Sequence, residues 1–237
     1  MRSKRVAILV VVLLALVASY PLLKRAVISA MHHAQSKRTV EDRTREFAPA
    51  VRDRLRGDFD RVGVAFPPPR IVLAAFKKEQ TLEVWVGQEG AMKLLRAYPI
   101  RAASGQLGPK LRERDMQVPE GLYRIESLNP NSLFHLALRV GYPNEFDRRQ
   151  AKLEGRKNLG GDIMIHGGSA SIGCLAMGDP AAEDLFVLAA ETGLDNVSVL
   201  ISPVDFRVAD LPKDAPAGPA WTTELYGQIR RALAELK

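Results

Sequence analysis

Pro67-Pro68-Pro69 divides the chain into two parts that obey different rules. Three successive prolines fix φ and offer no backbone N–H, so neither a helix nor a central strand can run through them. From Gln35 to about Asp58 the residues are mostly charged, and Val40, Phe47, Val51 and Leu55 recur at helical spacing. That pattern predicts a charged juxtamembrane helix or stalk, with residues 26–69 ending in a stiff boundary and the folded domain starting close to Arg70.

Beyond the prolines the pattern is that of strands. Ile71–Phe76, Thr81–Val86 and Met92–Pro99 are short β-prone runs separated by Lys77-Lys78-Glu79-Gln80 and Gly87-Gln88-Glu89-Gly90, as in consecutive hairpins. Gly121–Glu126, Phe134–Gly141, Asp162–Ile165 and Asn196–Ile201 extend the series, and polar Ser104–Glu120 reads as a long ordered loop. A helix is predicted from Asp179 or Pro180 to Gly193, and another over Glu224–Leu236 in a C-terminal extension, residues 207–237. The domain, residues 70–206, is therefore expected to be mainly β within an α+β chain.

The N-terminus carries Arg2, Lys4 and Arg5, then Val6 to Leu23 without a charge, closed by Lys24 and Arg25. Positive charge before an apolar run keeps that end in the cytoplasm while the rest is exported. Residues 1–25 read as an uncleaved membrane anchor, with a cleaved signal and a soluble periplasmic protein as the alternative. The net charge of +7 is concentrated there: residues 1–60 hold +6 and the remainder +1. A basic face for nucleic acid is not supported.

Cys174 is the only cysteine, and His166 lies eight residues before it across mostly small residues, Gly167-Gly168-Ser169-Ala170-Ser171-Ile172-Gly173. A cysteine nucleophile needs an imidazole to take its proton and flexible backbone to turn amides towards a reacting carbonyl. A buried cysteine acting as a small hydrophobe and a site of intermolecular pairing are the plainer readings. A thiol redox protein is disfavoured because no Cys-x-x-Cys partner exists. His32 and His33 adjoin the apolar run, and no metal-ligand spacing is present. Neither metal nor cofactor is expected.

Ile165-His166-Gly167 followed by Ser171-Ile172-Gly173-Cys174 resembles the active-site segment of YkuD-type L,D-transpeptidases of bacterial cell walls, closest to their YafK-like branch. Pro119-Glu120-Gly121-Leu122-Tyr123-Arg124-Ile125 is similar to the family's Thr-Pro-x-Gly-x-Phe-x-Ile strand start, and Gly141-Tyr142-Pro143-Asn144 to the branch's Tyr-Pro-Asn segment. The usual motif separates its halves by about fifteen residues and has a second histidine before Gly-Cys; here the spacing is short and that position is Ile172. The resemblance implies a catalytic-domain β-sandwich with short helices, and a thioester mechanism on peptidoglycan stem peptides. Cys174 would be the nucleophile and His166 the general base and acid, oriented by the backbone carbonyl of Gly167. Oxyanion donors would be the backbone amides of Gly173 and Cys174, with Ser171 as a further candidate.

His135, Tyr142, Ser104 and Arg101 are candidates for binding substrate, as is Tyr98, although His135 reads equally as a packed or surface residue. The acyl acceptor stays open between an amine and water, the latter giving a hydrolase that cuts cross-links or diaminopimelate-linked lipoprotein from peptidoglycan. A non-catalytic cell-wall-binding domain is the alternative from another class.

Overall fold

The computed structural model describes residues 37–236. The expected membrane anchor lies outside them, and no helix among the described residues is long and apolar enough to cross a membrane.

Helix α1, Val40–Val62, starts at Thr39, whose hydroxyl accepts the Asp42 N–H at 3.0 Å while the Asp42 carboxylate accepts the Thr39 N–H at 2.9 Å. This reciprocal box satisfies two otherwise unpaired amides, and Gly63 at φ 64° ends the helix in the left-handed conformation that glycine tolerates. Val51, Leu55, Phe59 and Val62 form one buried stripe in the main hydrophobic core. Each is worth about 1.5–3 kcal/mol when buried. The reading of this segment as a stalk is therefore corrected: α1 belongs to the domain, and the compact unit begins at Thr39 rather than Arg70. Its charge misleads because the arginines have partners within the fold. Arg54 pairs with Asp184 at 2.8 Å and Glu183 at 2.9 Å, and Arg52 with Glu191 at 2.8 Å.

The strands are β1 (Ile71–Phe76), β2 (Thr81–Gln88), β3 (Ala91–Pro99), β4 (Ala102–Ala103), β5 (Gly121–Ser132), β6 (His135–Val140), β7 (Met164–His166), β8 (Leu175–Ala176) and β9 (Val197–Ser202). The remaining helices are α2 (Glu145–Leu153), α3 (Asp179–Thr192) and α4 (Thr222–Ala234). The strands form one ladder in the order β3-β2-β1-β9-β5-β6-β7-β8-β4. Strand β5 makes it continuous, pairing with β9 through Gly121–Arg124 and with β6 through Ile125–Ser132. The fold is mixed α+β with a large sheet, and its helical residues slightly outnumber its strand residues. The mainly-β expectation fell short because it placed α1 outside the domain and did not foresee α2.

Burial on both faces explains why β1 reads as a continuous apolar run. Leu73 and Ala75 join the core shared with α1 and α3, whereas Ala74 and Phe76 join a second core under Leu225, Ile229 and Leu233 of α4. The long loop at 104–120 is tied down by a buried pair: Lys77 Nζ donates to Glu120 Oε1 at 2.9 Å and to the carbonyls of Gly108 and Val118. Glu120 also accepts the Gly108 N–H and the Tyr226 hydroxyl, so both buried charges are bonded and the loop is anchored to sheet and α4 alike.

Candidate active site

Strands β7 and β8 run parallel, with Ile165 opposite Leu175 and His166 opposite Ala176. Parallel neighbours commonly need a crossover of a dozen or more residues; here residues 167–174 suffice, because both strands are so short. Ile165 and Leu175 point into the core, each 0% exposed. His166 ends β7 and Cys174 immediately precedes β8. Both line a cleft of about 530 Å³ with Lys110, Met116, Phe134 and Asp162.

His166 is 3% exposed. Its Nδ1 lies 2.6 Å from the Gly167 carbonyl oxygen, which can only accept, so Nδ1 carries the proton and Nε2 keeps a free lone pair. The Phe134 ring covers the imidazole at 4.7 Å between centroids, tilted by 32°. The Gly167 backbone is too tightly packed for a side chain: a Cβ there would fall 2.5 Å from Asp179 Oδ1 and 2.8 Å from the Phe134 carbonyl oxygen.

Cys174 is half-buried and its thiol points to the Asp162 carbonyl oxygen at 3.7 Å. Burial pushes the thiol pKa up, the Met164 N–H and the Lys110 cation pull it down, and the Asp162 carboxylate adds to the rise; the net shift is upward. The resting group is thus a neutral thiol that needs a base before it can attack. A thiol and a free imidazole nitrogen facing one cleft can together open an acyl bond, the sulfur attacking and the imidazole moving the proton.

Ser171 holds the turn that carries the cysteine. Its hydroxyl donates to the Cys174 carbonyl at 2.6 Å and accepts the N–H groups of Cys174 at 3.1 Å and Gly173 at 3.3 Å. The amides expected to serve as oxyanion donors, those of Gly173 and Cys174, thus both face Ser171 Oγ in this turn. Pattern alone cannot show which way an amide faces.

The substrate-binding candidates lie outside the cleft lining. Ser104 donates its N–H to Ser171 Oγ at 3.3 Å and its hydroxyl to the Met116 carbonyl at 2.7 Å, so it braces the turn. Tyr142 is buried, its hydroxyl 3.3 Å from the carbonyl oxygens of Lys110 and Leu159. Tyr98 is buried and donates to Asp184 at 2.8 Å. The His135 ring meets Glu183 at 3.1 Å and the edge of Phe47, facing α1 and α3 rather than the cleft. Arg101 bonds through its backbone to Ala176, and its side chain lies near Gly178, outside the cleft lining. Burial and backbone acceptors claim most of these side chains.

Phe134, Lys110 and the Asp162 carbonyl were missed. Phe134 gave a usable signal, an apolar pair with Leu133 at a hairpin tip; Lys110, in a polar loop, gave none.

With this fold and cleft, the chain belongs to the family of YkuD L,D-transpeptidase catalytic domains, whose family model matches residues 70–201. YafK of Escherichia coli (strain K12), provisionally named an L,D-transpeptidase, is 37% identical over 145 residues, 59% of this chain and 56% of that protein. The chain thus spans about half the length of the curated relatives it matches. Among solved structures, the helical cell shape determining protein Pgp2 of Campylobacter jejuni overlaps at a TM-score of 0.48 and 22% identity, covering 57% of this chain and 48% of Pgp2. Bd1075 of Bdellovibrio bacteriovorus overlaps at 0.43 and 22%, covering 70% and 54%.

Proposed function

We propose that this protein is a peptidoglycan-modifying cysteine L,D-transpeptidase that works on stem peptides through a thioester on Cys174. The observation that carries the reading is that Cys174 and His166 line one cleft, with Nδ1 of His166 committed to Gly167. Nε2 takes the thiol proton as the sulfur adds to the peptide carbonyl. The tetrahedral oxyanion then collapses, the C–N bond breaks, and the imidazolium returns the proton to the leaving amine. An incoming amine next attacks the thioester, loses its proton to His166, and restores the thiol. The Gly173 and Cys174 amides, beside the sulfur, are suited to supporting the developing negative charge once substrate draws them from Ser171; Lys110 in the same cleft is already held by Asp115 and the Arg112 carbonyl.

Cys174 is only half-buried, so water can also reach the thioester. Hydrolysis of cross-links or of diaminopimelate-linked lipoprotein is the second reading of the same intermediate. The basic and apolar N-terminal sequence supports a catalytic domain in the periplasm, tethered to the cytoplasmic membrane.

The test is to incubate the full chain with muropeptides, with and without an added amine acceptor, and to weigh the products. Amine-containing products that disappear in Cys174→Ala and fall sharply in His166→Ala support transpeptidation. Products bearing only water assign the hydrolase. Binding without any product overturns both and leaves a non-catalytic wall-binding domain.

A further inference from the structure

Gly167 C=O and Gly168 N–H are the two ends of one peptide unit. The carbonyl end receives His166 Nδ1–H at 2.6 Å, and the amide end donates to Asp179 Oδ1 at 2.8 Å. Asp179 is the first residue of α3, where the helix N-terminus favours a carboxylate. Two backbone bonds hold the peptide units on either side of it: Gly178 N–H to Gly168 O at 2.9 Å and Met177 N–H to His166 O at 2.8 Å. The missing Cβ of Gly167 lets the carboxylate approach this closely.

We infer that Asp179 is a positioning residue for His166, acting through the Gly167–Gly168 peptide as a triad carboxylate set one peptide unit back. A charged acceptor on the N–H polarises the amide, and the carbonyl at its other end becomes a stronger acceptor for the imidazole proton. This fixes the tautomer that leaves Nε2 free, and it favours the imidazolium formed when Cys174 loses its proton. The other ionisable groups around the imidazole are Cys174, His135, Lys110, Glu113, Arg114 and Asp162. Among the described residues none of these is bonded to the Gly167–Gly168 peptide, whereas Asp179 is.

The inference rests on His166 being the base of the proposed function, but its test uses no peptidoglycan. Cys174 is the only thiol, so iodoacetamide alkylation of the full chain reads this site alone. Asp179→Asn keeps an oxygen acceptor and removes the charge; Asp179→Ala removes both. The expected result is alkylation at neutral pH slowed about tenfold, as for loss of an outer hydrogen-bond partner, with the acid limb of its pH profile moved down by about half a unit in Asp179→Asn. Asp179→Ala is expected to be slower still, and neither substitution should slow the residual reaction of His166→Ala further. Unchanged rates and limb in both variants would overturn the inference, as would an equal slowing in the His166→Ala background. Loss of muropeptide turnover with this alkylation pattern intact would count against the proposed function alone.

Discussion

Ser171 grips Cys174 at both ends of its backbone, accepting its N–H at 3.1 Å and donating to its carbonyl at 2.6 Å. One hydroxyl thus sets the direction in which the sulfur leaves the turn. Ser171→Ala should cost about 1–3 kcal/mol in chemical denaturation, because it leaves part-buried groups without partners. It should slow acylation of Cys174 by about 10²-fold, the scale of a displacement of about 1 Å at a reacting centre. Wild-type acylation in this variant would show that the turn holds without the serine.

The upward shift of the Cys174 pKa has a direct spectroscopic consequence. A thiol raised by burial stays protonated at neutral pH, so thiolate absorbance near 240 nm should be small at pH 7 and grow only in alkaline solution. In His166→Ala the alkylation midpoint should lie above about 8.5, the value of a free cysteine. Thiolate absorbance persisting below pH 6 would instead reveal a preformed ion pair.

Leu55 is fully buried in the shared core and Arg54 neutralises Asp184, itself 1% exposed. Leu55→Ala should destabilise the protein by about 2–5 kcal/mol. Arg54→Ala should cost about 1–3 kcal/mol, because the buried Asp184 carboxylate loses its guanidinium but keeps Tyr98 and the nearby Arg96. A chain shortened to start at Arg70 should not fold into an active domain; full activity from that fragment would restore the stalk reading.

Asp147 caps α2 with Asn144, and burial pushes its pKa up to about 6. The unfolded value is about 3.9. Below that value both states are protonated and the folded state keeps its full stability. As pH rises from about 4 to 6 the unfolded state ionises first, and the protein loses about 2 kcal/mol. Asp147→Asn should therefore raise stability at pH 7.5 and leave it unchanged at pH 3.5, measured by urea titration at both values. An equal effect at both would contradict this.

Seven of the nine strands were readable because their β-prone runs are bounded by turn residues, and α3 because Pro180 and Gly193 mark its ends. Strands β4 and β8, two residues each, carry no periodicity at all. Helix α1 was legible as a helix but not as core, since a narrow apolar stripe among arginines looks the same on a stalk as on a packed helix with carboxylates opposite. At the site, residue type pointed to Cys174 and His166, and the family resemblance to the Gly167 carbonyl. Orientation gave the rest: Ser171 consuming the amides, Phe134 over the imidazole, and Asp179 behind the Gly167–Gly168 peptide. These relationships depend on long-range packing that no local pattern encodes.

In the proposed reaction Cys174 carries the acyl group and His166 enables the transfer. Intact-protein mass spectrometry of the full chain quenched during muropeptide turnover, followed by peptide mapping, tests it most directly. The expected result is an acyl adduct confined to the peptide containing Cys174, absent in Cys174→Ala and accumulating at least about 10²-fold more slowly in His166→Ala. An adduct that persists in Cys174→Ala, or turnover with no adduct at any quench time together with an active Cys174→Ala, would contradict it.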